Sequence, residues 1–99
     1  MRITLATALV LQAVAHGRRY GFEIVDVTGY PTGTVYPALR RLEHAGYVHS
    51  RWEAERAAFD EARPQRRYYE ITAAGRRALG DAVARLRMLG MVPAPTRAK

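Results

Sequence analysis

The sequence contains no cysteine, one serine (Ser50) and one lysine (Lys99). Without thiols there is no disulfide, thiolate nucleophile, iron–sulfur ligand or ordinary structural zinc site. No Ser-His-acid triad can be assembled around Ser50. His16, His44 and His49 share no metal-ligand spacing. The close carboxylate pairs, Glu53/Glu55 and Asp60/Glu61, have no candidate base or substrate-binding glycine loop beside them. An enzyme, a bound metal and a cofactor are therefore not expected. The apolar stretch 3–15 is interrupted by Thr4, Thr7 and Gln12 and falls short of the ~18 apolar residues a membrane span needs. Gly17-Arg18-Arg19-Tyr20 follows it without a small-residue cleavage site. The expected location is the cytoplasm, away from membranes.

What the chain does have is arginine. Fifteen of its 16 basic residues are Arg, against nine Asp and Glu, for a net charge of +7. The planar guanidinium can grip a phosphate or a guanine edge with two hydrogen bonds. The balance favours nucleic acid as partner, with an acidic protein as the alternative. Ninety-nine residues, 48% of them hydrophobic, make one domain with a modest core that gains from dimerisation.

The apolar spacing predicts a first helix over 3–15. Ile3, Ala6, Leu9, Val10, Ala13 and Val14 form a broad face, and Leu5, Ala8 and Leu11 leave the other side apolar too. Such a helix has to be covered on more than one side, by the core and by a second subunit. Gly17 stops it. A shorter helix is expected from about Tyr20 to Val27, then a turn through Gly29, Pro31 and Gly33. The third helix, 32–45, has Val35, Leu39 and Leu42 at i, i+4 and i+7. Thr32 is its expected N-cap, Pro37 lies near its first turn and Gly46 ends it. Period-two alternation in 47–52 and 67–71 predicts a hairpin with a long connection, and Trp52 is expected to pack over it. Thr72 caps a last helix, about 73–90, whose seam is Leu79, Ala82, Val83, Leu86 and Leu89. Pro93 and Pro95 end it. Residues 1–90 thus form the domain, and 91–99 a mobile basic tail.

The order ααα-ββ-α is that of a winged helix-turn-helix: mainly α, with a β-hairpin as the wing. Its third helix would lie in a major groove. Thr34 and Tyr36 near its start, and Arg40 and Arg41 beyond, then face phosphates or base edges. Arg63, Arg66, Arg67 and Tyr68 would lie along the backbone or enter the minor groove.

Gly33-Thr34-Val35-Tyr36-Pro37-Ala38-Leu39, Arg41-Leu42-Glu43, Gly46, Trp52-Glu53, Arg67-Tyr68-Tyr69 and Ile71-Thr72-x-x-Gly75 together resemble the PadR family of bacterial transcriptional regulators. Tyr20-Gly21-Phe22-Glu23-Ile24 resembles the family's opening of its second helix. The resemblance implies a homodimer that binds double-stranded DNA at an imperfect palindrome, usually as a repressor. It carries DNA contact onto Thr34, Tyr36, Pro37, Arg41, Arg66, Arg67 and Tyr68; Arg40 joins them by helical geometry. It also implies pairing of the last helix with the partner's first helix. On that basis Leu5, Leu9, Leu79, Val83, Leu86 and Leu89 are the expected interface residues. The chain departs from many members in a shorter stretch between Phe22 and Gly33, and it resembles the short branch with one C-terminal helix. Some members bind flat aromatic compounds through aromatic residues of that helix. Residues 76–91 contain none, so no small-molecule effector is assigned.

Overall fold

The structure, a computed structural model, describes residues 1–93. Helices α1 (Leu5–Ala15), α2 (Gly21–Thr28) and α3 (Thr32–His44) come first. Strand β1 (Val48–Trp52), the short helix α4 (Glu55–Asp60), strand β2 (Arg67–Ile71) and helix α5 (Ala73–Met88) complete the order. The antiparallel hairpin pairs Val48 with Ile71 and Trp52 with Arg67. Its outer edge is also covered, because the Tyr69 amide donates to the Arg19 carbonyl at 2.7 Å and Tyr20 bridges to Tyr68. The start of α2 is thereby fastened to the wing.

α1 occupies the centre and packs on α2, α3, α5 and β2. Val10 and Leu11 on α1, Ile24 on α2, and Val35, Leu39 and Leu42 on α3 are all fully buried. The expected stripe of α3 is therefore its core face, with Ala38 added to it. Gly46 adopts a left-handed φ of 79°, which lets the Tyr47 amide turn back to the Leu42 carbonyl at 2.9 Å. The Thr72 hydroxyl accepts from the Gly75 amide at 3.0 Å, as a cap should.

Several expectations change in detail. The hairpin connection contains α4, because Ala58 is buried and gives six alanine-rich residues an apolar anchor. α3 has Pro31, not Thr32, at its N-cap, without a side-chain hydrogen bond. α5 stops before the prolines. Gly90, at φ 72°, allows the Met91 amide to reach the Leu86 carbonyl at 2.8 Å. Val92 then packs against the core and Arg87 donates to the Pro93 carbonyl at 3.2 Å, so 91–93 fold back on α5. The rest of the expected tail, 94–99 with Pro95, lies outside the described residues.

Pro37 sits in the second turn of α3, not the first. It leaves the Gly33 carbonyl without its i+4 donor, since proline has no N–H. Pro37→Ala restores that bond and is expected to raise the unfolding free energy by about 1–3 kcal/mol. Thermal unfolding checks this; an unchanged or lower midpoint would show that α3 gains nothing there.

Candidate nucleic-acid interface

At 100° per residue, the side of α3 opposite its buried stripe carries Gly33, Pro37, Arg40, Arg41 and His44. Arg40, Arg41 and His44 are exposed and Pro37 is half-buried. Among the described residues, neither Arg40 nor Arg41 is paired with a carboxylate. Thr34 is half-buried on one shoulder of this surface, and Tyr36 on the other. The Tyr36 ring meets Phe22 edge-on, with centroids 6.4 Å apart. Its hydroxyl lies where a Cβ on Gly21 would be, 2.2 Å from that position. Glycine at 21 is what lets Tyr36 lie across the start of α2.

Between α2, α3 and the wing runs a cleft of about 840 Å³, whose walls include Tyr20, Tyr36, Arg40, Trp52, Arg66 and Arg67. Trp52 remains 60% exposed and does not pack over the hairpin as expected. The Arg67 guanidinium carbon instead lies 5.5 Å from its ring centre. Arg66 stacks on Tyr20 at 4.1 Å.

Two carboxylates organise the wing. Glu53 is 8% exposed. It accepts two hydrogen bonds from Arg63, at 2.6 and 2.8 Å, one from the Tyr68 hydroxyl at 2.9 Å and one from the Arg66 amide at 3.3 Å. The Arg63 hydrogen bonds, helped by Tyr68 and the Arg66 amide, outweigh desolvation and hold its pKa at about 2, below the ordinary 4.5. Arg63 also pairs with Glu61, and its own pKa is raised, chiefly by Glu53. The second carboxylate, Glu43 on α3, accepts from the Ser50 hydroxyl at 2.5 Å and from Arg67 at 3.3 Å. The Ser50 hydrogen bond is the larger cause of its lowered pKa, with Arg67 adding to it. Arg67 thus ties the wing to α3, with its Nε 2.8 Å from Ser50.

The sequence groups Arg63, Arg66, Arg67 and Tyr68 as one DNA-facing set, and the structure gives them different partners. Arg63 is occupied by two carboxylates, and the Tyr68 hydroxyl is turned to Glu53. The Tyr68 ring takes Arg19 at 5.0 Å and Arg51 at 5.6 Å. Arg63, Arg66 and Arg67 all line the cleft; among the described residues Arg66 pairs with no carboxylate, and Arg67, paired with Glu43, stays more exposed than Arg63. Glu43 and Glu53 were missed as organisers, because their partners lie 7 to 24 residues away. Only their places within the family-like pattern singled them out.

Glu53 gives the acid limb of stability a defined sign. The unfolded chain takes up its proton near 4.5 and the folded chain only near 2. This contribution is complete above pH 4.5 and is lost as the pH falls towards 2. Urea midpoints across that window should fall less steeply in Glu53→Gln than in the wild type. Parallel curves would mean Glu53 titrates alike in both states.

A helix pair whose second member presents unpaired arginines beside a basic β-hairpin defines a winged helix-turn-helix protein. Residues 10–81 match the Transcriptional regulator PadR-like family, and the chain belongs to that family. Its members are transcription regulators and not enzymes. A PadR family transcription regulator from hypervirulent Clostridium difficile has the same fold, with TM-score 0.74, 23% identity, and coverage of 88% of this chain and 92% of that one. A transcriptional regulator from Clostridium thermocellum gives 0.70 at 25% identity, covering 86% and 82%. A PadR family transcriptional regulator from Eggerthella lenta gives 0.66 at 28%, covering 84% and 75%. No curated protein matches the chain. Among the described residues there is no cluster of three or more metal-ligating side chains, and no helix is long and apolar enough to cross a membrane.

Proposed function

We propose that the chain acts in the cytoplasm as a homodimeric repressor that binds an imperfect palindrome near promoters. Each α3 lies in a major groove, with half-sites about one helical turn, roughly 34 Å, apart. The observation that carries this reading is the outward stripe of α3: Arg40, which lines the wing cleft, and Arg41 beside it are exposed and, among the described residues, paired with no carboxylate. In this reading Thr34, Tyr36 and Pro37 contact DNA from the first two turns of α3, and Arg66 and Arg67 follow the backbone. Arg63 and Tyr68 act mainly by holding the wing.

The dimer reading is supported by the apolar surface left on α1 and α5. Leu5, Leu9, Leu79 and Val83 are half-buried, while Leu89 is 64% and Met88 89% exposed. Leu86 leaves the interface set: at 2% exposure it belongs to the core of its own chain.

Hydroxyl-radical footprinting on the DNA upstream of the chain's own gene tests the arrangement. Two protected segments, one turn apart, are expected. A single protected segment, or uniform protection, would contradict the dimeric operator.

A further inference from the structure

The segment before α1 borders the same surface of α3 from its other side. A second cleft, of about 560 Å³, is lined by Met1, Arg2, Arg40, Arg41, His44 and Ala45. Arg40 and His44 belong to both clefts. By helical angle, Tyr36 and Glu43 face the wing cleft, and Arg41 and Ala45 face this one. The exposed stripe of α3 is therefore flanked on one side by the wing and on the other by residues 1–2.

This second flank is held in place. Ile3 is 5% exposed in the core, its carbonyl accepts from the Arg85 guanidinium, and the Thr4 side chain caps α1. Arg2 thus projects from an anchored backbone. Among the described residues, no carboxylate pairs with Arg2, Arg40 or Arg41. Three guanidiniums around one concavity repel each other until an anion enters. A major groove about 12 Å wide has a phosphate backbone along both rims. A helix lying in it therefore meets phosphates on two sides, and the wing reaches only one.

We infer that Arg2 is a DNA-backbone contact: the anchored segment before α1 forms a second arm, binding a phosphate on the groove rim opposite the wing. The inference rests on the DNA-binding reading above. It assigns Arg2 to affinity, because phosphate contacts fix position and carry no direct sequence information.

The test is the salt dependence of binding to the upstream duplex and to a scrambled one, for wild type, Arg2→Ala and Arg2→Lys. Arg2 is exposed, so the variants should fold as the wild type does. Arg2→Ala should bind both duplexes more weakly and flatten the slope of log K against log salt by about 0.9. Its deficit relative to wild type should then shrink about threefold to fourfold between about 50 and 200 mM salt. The ratio between the two duplexes should not change, and Arg2→Lys should restore the slope. An Arg2→Ala variant with wild-type slope and affinity, while the wild type still prefers the upstream duplex, would overturn the arm and leave the DNA-binding reading standing. A changed duplex ratio would overturn it as well, by making Arg2 a base reader. A wild type that binds neither duplex would remove both readings together.

Discussion

Replacing Arg40 and Arg41 together by alanine is expected to cause the largest loss of DNA affinity of any exposed pair in the chain. Each arginine that reads a guanine edge contributes about 1–3 kcal/mol, roughly 5-fold to 150-fold in Kd. Each that touches only phosphate contributes about one unit of salt slope. Both are exposed and, among the described residues, paired with no carboxylate, so their loss should shift folding stability by no more than about 0.5 kcal/mol. The single variants separate the roles: a base reader relaxes preference at one position, and a phosphate contact weakens all sequences alike. Unchanged affinity in the double variant, by anisotropy titration, would remove the centre of the stripe from the interface.

The second large effect is on the fold. Gly75 lies in the first turn of α5, where a Cβ would come within 2.0 Å of the Tyr47 carbonyl oxygen and 2.8 Å of Ile71 Cγ1. The closest obstacle is backbone and cannot rotate away. The same junction is pinned by the Thr72 amide, 3.0 Å from the Tyr47 carbonyl, and the Thr72 hydroxyl, 2.7 Å from the Gly46 carbonyl. Gly75→Ala therefore has to lift α5 off the α3–β1 turn, an overpacking expected to cost about 1–3 kcal/mol or more. For a domain this small each kcal/mol lowers the midpoint by about 4–8 °C. Gly80, also on α5, has open space around its Cβ position, and Gly80→Ala should stabilise by about 0.5–1 kcal/mol. Paired thermal melts decide it: equal midpoints would mean the junction accommodates a methyl group.

Local patterns with strong physical signatures were legible. The Val35, Leu39, Leu42 spacing marked the buried face of α3, Gly46 its stop and Thr72 the cap of α5. Alternation around Tyr69 and Ile71 marked the hairpin. Features set by distant partners were not. Arg63 reads as a free cation until Glu53, ten residues earlier, is brought beneath it. Arg67 does so until Glu43, 24 residues away, comes within 3.3 Å. Helix α4 is too short to show a period, and only burial of Ala58 explains it. Leu86 lies on the same seam as Leu79 and Val83, yet it points into its own core. Periodicity identifies an apolar face but not what covers it.

The most direct test of DNA binding is a fluorescence-anisotropy titration of the chain against the duplex upstream of its own gene and a scrambled duplex, across a salt series. A specific regulator should show a preference of about 10³-fold or more, with log affinity falling steeply and linearly in log salt. Equal, weak binding to both duplexes would contradict that role and turn the search to an acidic protein partner for the same arginines.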